Sequence, residues 1–364
     1  MAKIIILNYI NILNLKLNKQ NPDFVDIGRK LLKWYDSNAR ALPWRNTKQP
    51  YNIWISEIIL QQTQVKQGLN HYLNFVERFP DVQALAAAET DEVLLYWKGM
   101  GYYSRALNLH KAAKQVVEDF NGNFPEKYED ILKLKGIGKY TAAAISSICF
   151  GEKIPAVDGN FYRVVSRLFA DDFDISQSSA FKYFSELSMM MMPEYKPGDF
   201  NQAVMDLGSE ICRPKKPDCG SCPLTENCIA FQSGTVHKFP VKLKRAKTTD
   251  LFLKYYFVHH KNKFLLKQRA DDFIWKKLYE FPDEVPLEFE HFVENSTVVK
   301  HKLTHKNLTI QIETVNLKDE FDFISLAKRN HFNVVDFSES KKKSFPKPLE
   351  NFIDKWIQRP TEIK

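Results

Sequence analysis

The chain has 364 residues, of which 44% are hydrophobic and 26% charged, with a formal net charge of +8. That length allows about two domains with real apolar cores, and the basic balance favours a polyanion over a cation as partner. No run of about 18 uncharged apolar residues is present, which argues against a membrane span, and four of the five cysteines crowd between Cys212 and Cys228, unlike a disulfide-stapled secreted protein.

In chain order, residues 1–22 read as a loosely held tail. Its apolar stretch is studded with Asn8, Asn11 and Asn14 and lacks the small-residue cleavage site of a secretory signal. The expected compartment is reducing cytosol, with nucleoid association if the source is bacterial. Residues 23–231 follow a helical pattern, and Phe24, Ile27, Leu31 and Trp34 make one apolar stripe. The spacing predicts a long helix over 51–78, stopped by Pro80, and shorter ones over 91–100, 104–120 and 140–150. Ahead of the last, Gly136 and Gly138 flank Ile137 in a Leu-Lys-Gly-Ile-Gly-Lys turn. Paired glycines permit positive φ, and the helix that follows starts with free N–H groups suited to a phosphate. Residues 232–248 read as a basic, proline-containing linker. Beyond it the texture becomes strand-like, with hairpins expected from 251–259 with 263–268 and from 297–301 with 308–315. No glycine follows Gly234.

Three constellations carry chemistry. Cys212, Cys219, Cys222 and Cys228 are spaced C-x6-C-x2-C-x5-C, so four soft thiolates can wrap one centre, either zinc or an iron–sulfur cluster. Arg213, Lys215 and Lys216 make this loop basic, fit for a phosphate backbone or for solvent. Cys149 reads as a packed core cysteine. Glu57 interrupts an apolar run, on a helical face shared with Ile53, Trp54, Leu60, Gln61 and Gln64. A carboxyl among apolar neighbours has a raised pKa, as a general acid near neutrality requires; a solvent-facing glutamate is the alternative. Asp158 precedes a helical pattern over 161–169 and reads as an N-cap. There the helix N-terminus is expected to lower its pKa and keep it charged. Two carboxyls with pKa values pushed apart suit the cleavage of a glycosidic bond.

The glycine turn, the Asp158 segment and the cysteine cluster together resemble the helix-hairpin-helix DNA glycosylase superfamily. Within it, the chain is similar to the A/G-specific adenine DNA glycosylases, the MutY family. The likeness rests on Leu42-Pro43-Trp44-Arg45, Trp54-Ile55-Ser56-Glu57, Leu60-Gln61-Gln62-Thr63-Gln64, Gly101-Tyr102-Tyr103-Ser104-Arg105, Val157-Asp158-Gly159-Asn160 and the cysteine spacing.

The resemblance implies a mainly α helix-hairpin-helix glycosylase region over 23–231 with a [4Fe-4S] cluster loop, then an α+β Nudix-like domain over 249–364 that recognises 8-oxoguanine. It implies that Glu57 protonates a flipped adenine, that Asp158 stabilises the oxocarbenium sugar directly or by transient covalent attachment, and that Asn160 supports the site. Trp44, Arg45, Leu60 and Gln202 line the adenine pocket, while Gln62, Thr63 and Tyr102 contact the damaged duplex. Tyr140 stands where the related endonuclease III type has a lysine nucleophile, which implies base excision without strand cleavage. The neighbouring Lys139 is turned about 100° away round the helix. The Nudix-like part has no glycine, which excludes the glycine-bounded metal box of a pyrophosphatase. Where the family has Phe-Ser-His this chain has Leu303-Thr304-His305, keeping the hydroxyl and imidazole and losing the ring. The expected partner is double-stranded DNA with adenine opposite 8-oxoguanine or guanine, bound by a monomer with no membrane involved. A bifunctional endonuclease III-like glycosylase and lyase, and a non-catalytic iron–sulfur DNA-binding protein, are the competing readings.

Overall fold

In the computed structural model the described residues are 23–243, 248–270 and 274–359. The expected tail, 1–22, and residues 244–247 of the expected linker lie outside them. The helices run α1 (Phe24–Asn38), α2 (Pro50–Leu60), α3 (Val65–Arg78), α4 (Val82–Ala87), α5 (Thr90–Tyr96), α6 (Ser104–Phe120), α7 (Tyr128–Ile131), α8 (Lys139–Phe150), α9 (Gly159–Leu168), α10 (Ala180–Met191), α11 (Pro197–Asp206) and α12 (Ile229–Gln232). The strands are β1 (Thr249–His260), β2 (Lys263–Gln268), β3 (Tyr279–Glu280), β4 (Val293–Lys302), β5 (Lys306–Asn316) and β6 (Asn333–Asp336). Among them lie α13 (Leu287–Glu290) and α14 (Glu320–Arg329), and α15 (Lys347–Ile357) follows. The chain divides into two compact units, Met1–Glu57 with Phe124–Lys244 and Ile58–Asn123 with Arg245–Lys364. The division falls inside α2.

In the first unit, the α1 stripe buries Ile27, Leu31, Leu32 and Tyr35, with Phe24 and Trp34 half-buried beside it. It packs on Phe161, Val164 and Leu168 of α9, Phe184 and Leu187 of α10, and Phe200, Ala203 and Val204 of α11. Apolar residues three and four apart supply each of these faces. The glycine turn joins α7 to α8. Gly136 sits at φ 78°, where a side chain is strained, while Leu134 and Ile137 point inward and are buried. Gly138 is the N-cap of α8 and has no side chain to occupy the helix's first amides, so these face out beside exposed Lys135 and Lys139.

In the second unit the helix expected over 51–78 is broken. Leu60 ends α2, Gln62 takes a left-handed φ of 58°, and α3 begins only at Val65. The periodicity is unaffected because the break contains neither glycine nor proline. What ends α2 is a side chain from elsewhere in the unit: Arg105 Nη1 donates to the carbonyls of Ile58 and Gln61 at 2.7 and 2.6 Å, satisfying acceptors a helix end leaves open. Gln61 and Gln64 therefore do not continue the Glu57 face. The helix expected over 91–100 spans Thr90–Tyr96, and that over 104–120 is α6.

Both expected hairpins form. β1 pairs β2 antiparallel with His259 opposite Phe264, and β4 pairs β5 with Val299 opposite Ile310. β1 and β5 run parallel, giving a mixed sheet of order β3-β2-β1-β5-β4 with β6 against β2. Alternate residues of β1 serve two cores. Tyr255 and Phe257 pack with Leu349, Phe352 and Ile353 of α15, and Tyr256 and Val258 with Phe323 and Leu326 of α14. The helices of 58–123 join this unit through polar contacts: Asp91 accepts from Tyr279 Oη at 2.7 Å and Gln268 Nε2 at 3.0 Å, and Lys98 pairs with Glu350 at 2.7 Å. No helix among the described residues is long and apolar enough to cross a membrane.

Candidate active site

Helix α2 is buried nearly all round. Tyr51, Ile53, Trp54, Ile55, Ser56, Ile58 and Ile59 are all buried, so Glu57 has little solvated face to occupy. It keeps a little accessible surface, yet protein surrounds its carboxyl closely. Desolvation is the main reason that its pKa is pushed up to about 7. The nearby charge of Asp158 adds to the rise, while a hydrogen bond from Tyr140 and the Arg45 charge oppose it. Tyr140 Oη donates to Glu57 Oε2 at 2.6 Å. The phenol itself stays protonated, its pKa driven well above 10 by burial and then by the Glu57 and Asp158 charges. Lys139, one residue earlier, lays its ammonium 5.1 Å from the centre of the Phe181 ring, turned away as the helical rotation requires.

Asp158 is the N-cap of α9, which starts at Gly159 rather than 161, and its Oδ1 accepts from Phe161 N at 2.8 Å. The expectation that its pKa is lowered overall is overturned, although the helix-terminal amides do act in the expected direction. Desolvation comes first and raises it, while the Phe161 amide and the Asn160 side chain pull the other way. Asn160 Nδ2 donates to Asp158 Oδ2 at 2.8 Å, and Asn160 Oδ1 accepts from Arg163 Nη2 at 2.7 Å. Arg163 is anchored in turn on the Gly208 and Cys212 carbonyls at 2.6 and 2.7 Å. Gly208 is needed here, since a Cβ on it would lie 2.6 Å from Asn160 Cβ.

Trp44 is buried in the turn Pro43–Arg45. Arg45 forks onto both oxygens of Asp206, one contact very short and the other 2.8 Å. Asp206 is fully buried and also receives Arg40 Nε at 2.7 Å. Gln202 stands half-buried on α11, and Met205 on the same helix puts its sulfur 3.5 Å from Tyr140 Oη. Arg40, Arg163, Asp206 and Met205 were not picked out from the sequence. For Arg163 a signal existed, since it sits among Phe161, Val164 and Val165 on a face that the pattern marks as core.

Cys212, Cys219, Cys222 and Cys228 line one cavity with Ile211 and Phe231. Burial pushes the Cys222 thiol up to about 12 and Cys228 to about 11, so a compensating cation is needed for them to serve as thiolates. Arg167 Nη1 already donates to Cys212 Sγ at 3.4 Å. Among the described residues no three His, Cys, Asp or Glu side chains close on a single ion-sized point. Cys149 is packed rather than exposed, its pKa also pushed up to about 12 by burial.

The remaining expected residues belong to the second unit. Leu60 is half-buried at the end of α2, with exposed Gln62 and half-buried Thr63 in the turn that follows. Tyr102 has a left-handed φ of 48° and stays largely exposed. Its hydroxyl lies 2.5 Å from that of Thr304, in the exposed turn between β4 and β5. His305 is exposed there, and Leu303 packs against the sheet core.

Residues 55–188 match the family described as HhH-GPD superfamily base excision DNA repair protein. Among curated proteins, the adenine DNA glycosylase of Buchnera aphidicola subsp. Schizaphis graminum is 33% identical over 337 residues, covering 89% of this chain and 96% of that protein. The human adenine DNA glycosylase is 41% identical over 211 residues, covering 56% of this chain and 39% of its own. A solved thermostable thymine-DNA glycosylase is 31% identical with a TM-score of 0.54, covering 58% of this chain and 97% of that one. A trapped endonuclease III–DNA intermediate, 21% identical with a TM-score of 0.50 over 57% of this chain and 94% of that one, shares the fold. The class is thus base-excision repair of the helix-hairpin-helix type, and the enzyme a DNA N-glycosylase. The chain belongs to the adenine DNA glycosylase family.

The Glu57 carboxyl binds its proton more tightly in the fold than in the unfolded chain. Its stabilising contribution is therefore complete below about pH 4.5 and lost as pH rises through about 7. Glu57→Gln cannot ionise. In urea unfolding it should match wild type near pH 4.5 and exceed it near pH 8, by on the order of 1–3 kcal/mol. A gap that ignores pH contradicts the raised pKa.

Proposed function

We propose that the enzyme hydrolyses the N-glycosidic bond of adenine mispaired with 8-oxoguanine or guanine in duplex DNA, and leaves the strand uncut. The carrying observation is a closely surrounded Glu57 carboxyl that accepts from Tyr140 Oη at 2.6 Å and whose pKa is pushed up to about 7, chiefly by burial. Such a group holds a proton at neutral pH and gives it up readily, as a general acid must. Extruding the adenine costs roughly a few kcal/mol, less at a mismatch. Glu57 then protonates N7, and the bond from N9 to the sugar C1′ breaks with its electrons going to the base. Asp158, oriented by Asn160 and the α9 amides, stabilises the positive charge left on the sugar. A water molecule adds to C1′ and gives up its proton to the Glu57 carboxylate, which restores the acid. Trp44, Arg45 and Gln202 of this unit contact the purine. Tyr140 offers a phenol held by Glu57 where a lyase needs a free amine, which favours simple excision over the bifunctional reading.

The cysteine cavity supports an iron–sulfur cluster, bound by Cys212, Cys219, Cys222 and Cys228. The four thiols line one cavity, soft ligands that suit either zinc or an iron–sulfur group, and the likeness to the adenine DNA glycosylases favours the cluster. Bound there, the cluster supplies positive iron to hold four thiolates and so fixes the basic loop of Arg213, Lys215 and Lys216. That loop and the Gly136–Gly138 turn suit phosphate contacts. In the second unit Gln62, Thr63, Tyr102, Thr304 and His305 fit the base opposite the adenine. The sheet domain then serves recognition, and the protein works as a monomer on double-stranded DNA.

Incubation with duplexes holding A opposite 8-oxoguanine, A opposite guanine, and thymine glycol tests this. Adenine should be released from the first two, with intact strands until alkali is added, and the rate at saturating enzyme should fall as pH rises through about 7. Glu57→Gln should slow release by about 10²–10⁴-fold or more while duplex binding persists. Release from thymine glycol alone overturns the adenine reading, and strand nicking without alkali overturns simple excision. Iron rather than zinc on metal analysis, lost in Cys222→Ser, is the expected cofactor result.

A further inference from the structure

Arg105 occupies an unusual place in the second unit. It is the second residue of α6, yet its guanidinium turns back into two separate loops. Nη1 donates to the carbonyls of Ile58, Ile59 and Gln61 at 2.7, 3.3 and 2.6 Å. Nη2 donates to those of Met100 and Gly101 at 3.2 and 3.5 Å. The same group lies 5.3 Å from the Trp97 ring centre and 5.4 Å from that of Tyr102. Trp97 reinforces the second loop, its indole N–H donating to the Gly101 carbonyl at 3.1 Å.

Each loop contains a residue in a conformation that side chains disfavour. Gln62 directly follows one carbonyl that Arg105 holds, and Tyr102 directly follows another, both with left-handed φ. A strained residue persists only when its surroundings over-determine it. Here one planar five-donor group supplies that restraint to both loops at once, which a flexible ammonium cannot do.

We propose that Arg105 is a positioning residue that sets Gln62 and Tyr102 as one recognition element for the base opposite the excised adenine. The proposal rests on the functional reading above for what these two side chains touch. It adds a residue that contacts no DNA yet decides how well the opposing base is read. Arg105 contributes nothing to proton transfer, so its loss acts on affinity and selectivity rather than on the chemical step.

Arg105→Lys keeps the charge and loses the fork. Affinity for a duplex with A opposite 8-oxoguanine should fall at least about tenfold, and more than for A opposite guanine. The single-turnover rate at saturating enzyme and its pH midpoint should stay within about threefold and unmoved respectively. Amide hydrogen exchange should rise at residues 61–64 and 100–103 and nowhere else. Trp97→Phe keeps a ring and removes the indole N–H, so a smaller loss of the same kind should follow, and it carries the test if Arg105→Lys fails to fold. Unchanged exchange in both loops overturns the proposal, as does equal loss for both duplexes with slowed chemistry. A wild-type protein that releases no adenine refutes the functional reading alone, and the exchange result still decides whether Arg105 holds the loops.

Discussion

A carboxyl group held inside an apolar helix, with a phenol donating to it and another carboxylate in its electrostatic range, sets the terms for the first unit. Burying such a group costs free energy, and the protein meets that cost by letting it keep its proton up to about pH 7. The neighbours are arranged around that choice. Tyr140 supplies one hydrogen bond, which steadies the carboxyl without forcing it to ionise fully. Asp158 presses the pKa upward from a distance. Its helix neighbours Ile53, Trp54 and Ile58 are themselves buried, and desolvation is the largest cause of its raised pKa.

The other buried charges of this unit are handled by pairing. Asp206 sits between Arg40 and Arg45, and Asp158 passes through Asn160 to Arg163 and on to the carbonyls of Gly208 and Cys212. Removing one member of such a set leaves a buried charge uncompensated, which is far more damaging than the small net worth of the intact pair. These chains explain why the loop that carries the cysteines begins where it does: Arg163 and Arg167 tie its first residues to α9. Shape at one end and charge at the other thus depend on the same helix.

Much of this was legible beforehand because it is written in local pattern. The stripe of α1, the span of α6, the two hairpins and the capping role of Asp158 follow from spacing and residue type alone. The break after Leu60 was not legible, since Gln61-Gln62-Thr63-Gln64 carries no breaker and the cause, Arg105, lies more than forty residues downstream. The pKa of Asp158 was misjudged for a related reason: an N-cap is a local feature, whereas desolvation depends on what the rest of the fold packs around it. Asp206 and Arg40 escaped notice because pairing across 166 residues leaves no trace in periodicity. The grouping of residues 58–123 with the sheet likewise hangs on contacts such as Asp91 with Tyr279.

The claim on which the account turns is the protonation state of one side chain, and it is open to direct observation. Carbon-13 labelling of glutamate carboxyls, followed by magnetic resonance across a pH titration and assigned with Glu57→Gln, reads that state without any assay of activity. A resonance absent from the variant should titrate with a midpoint near 7. A Glu57 signal that titrates in the ordinary range near 4.5 contradicts the raised pKa.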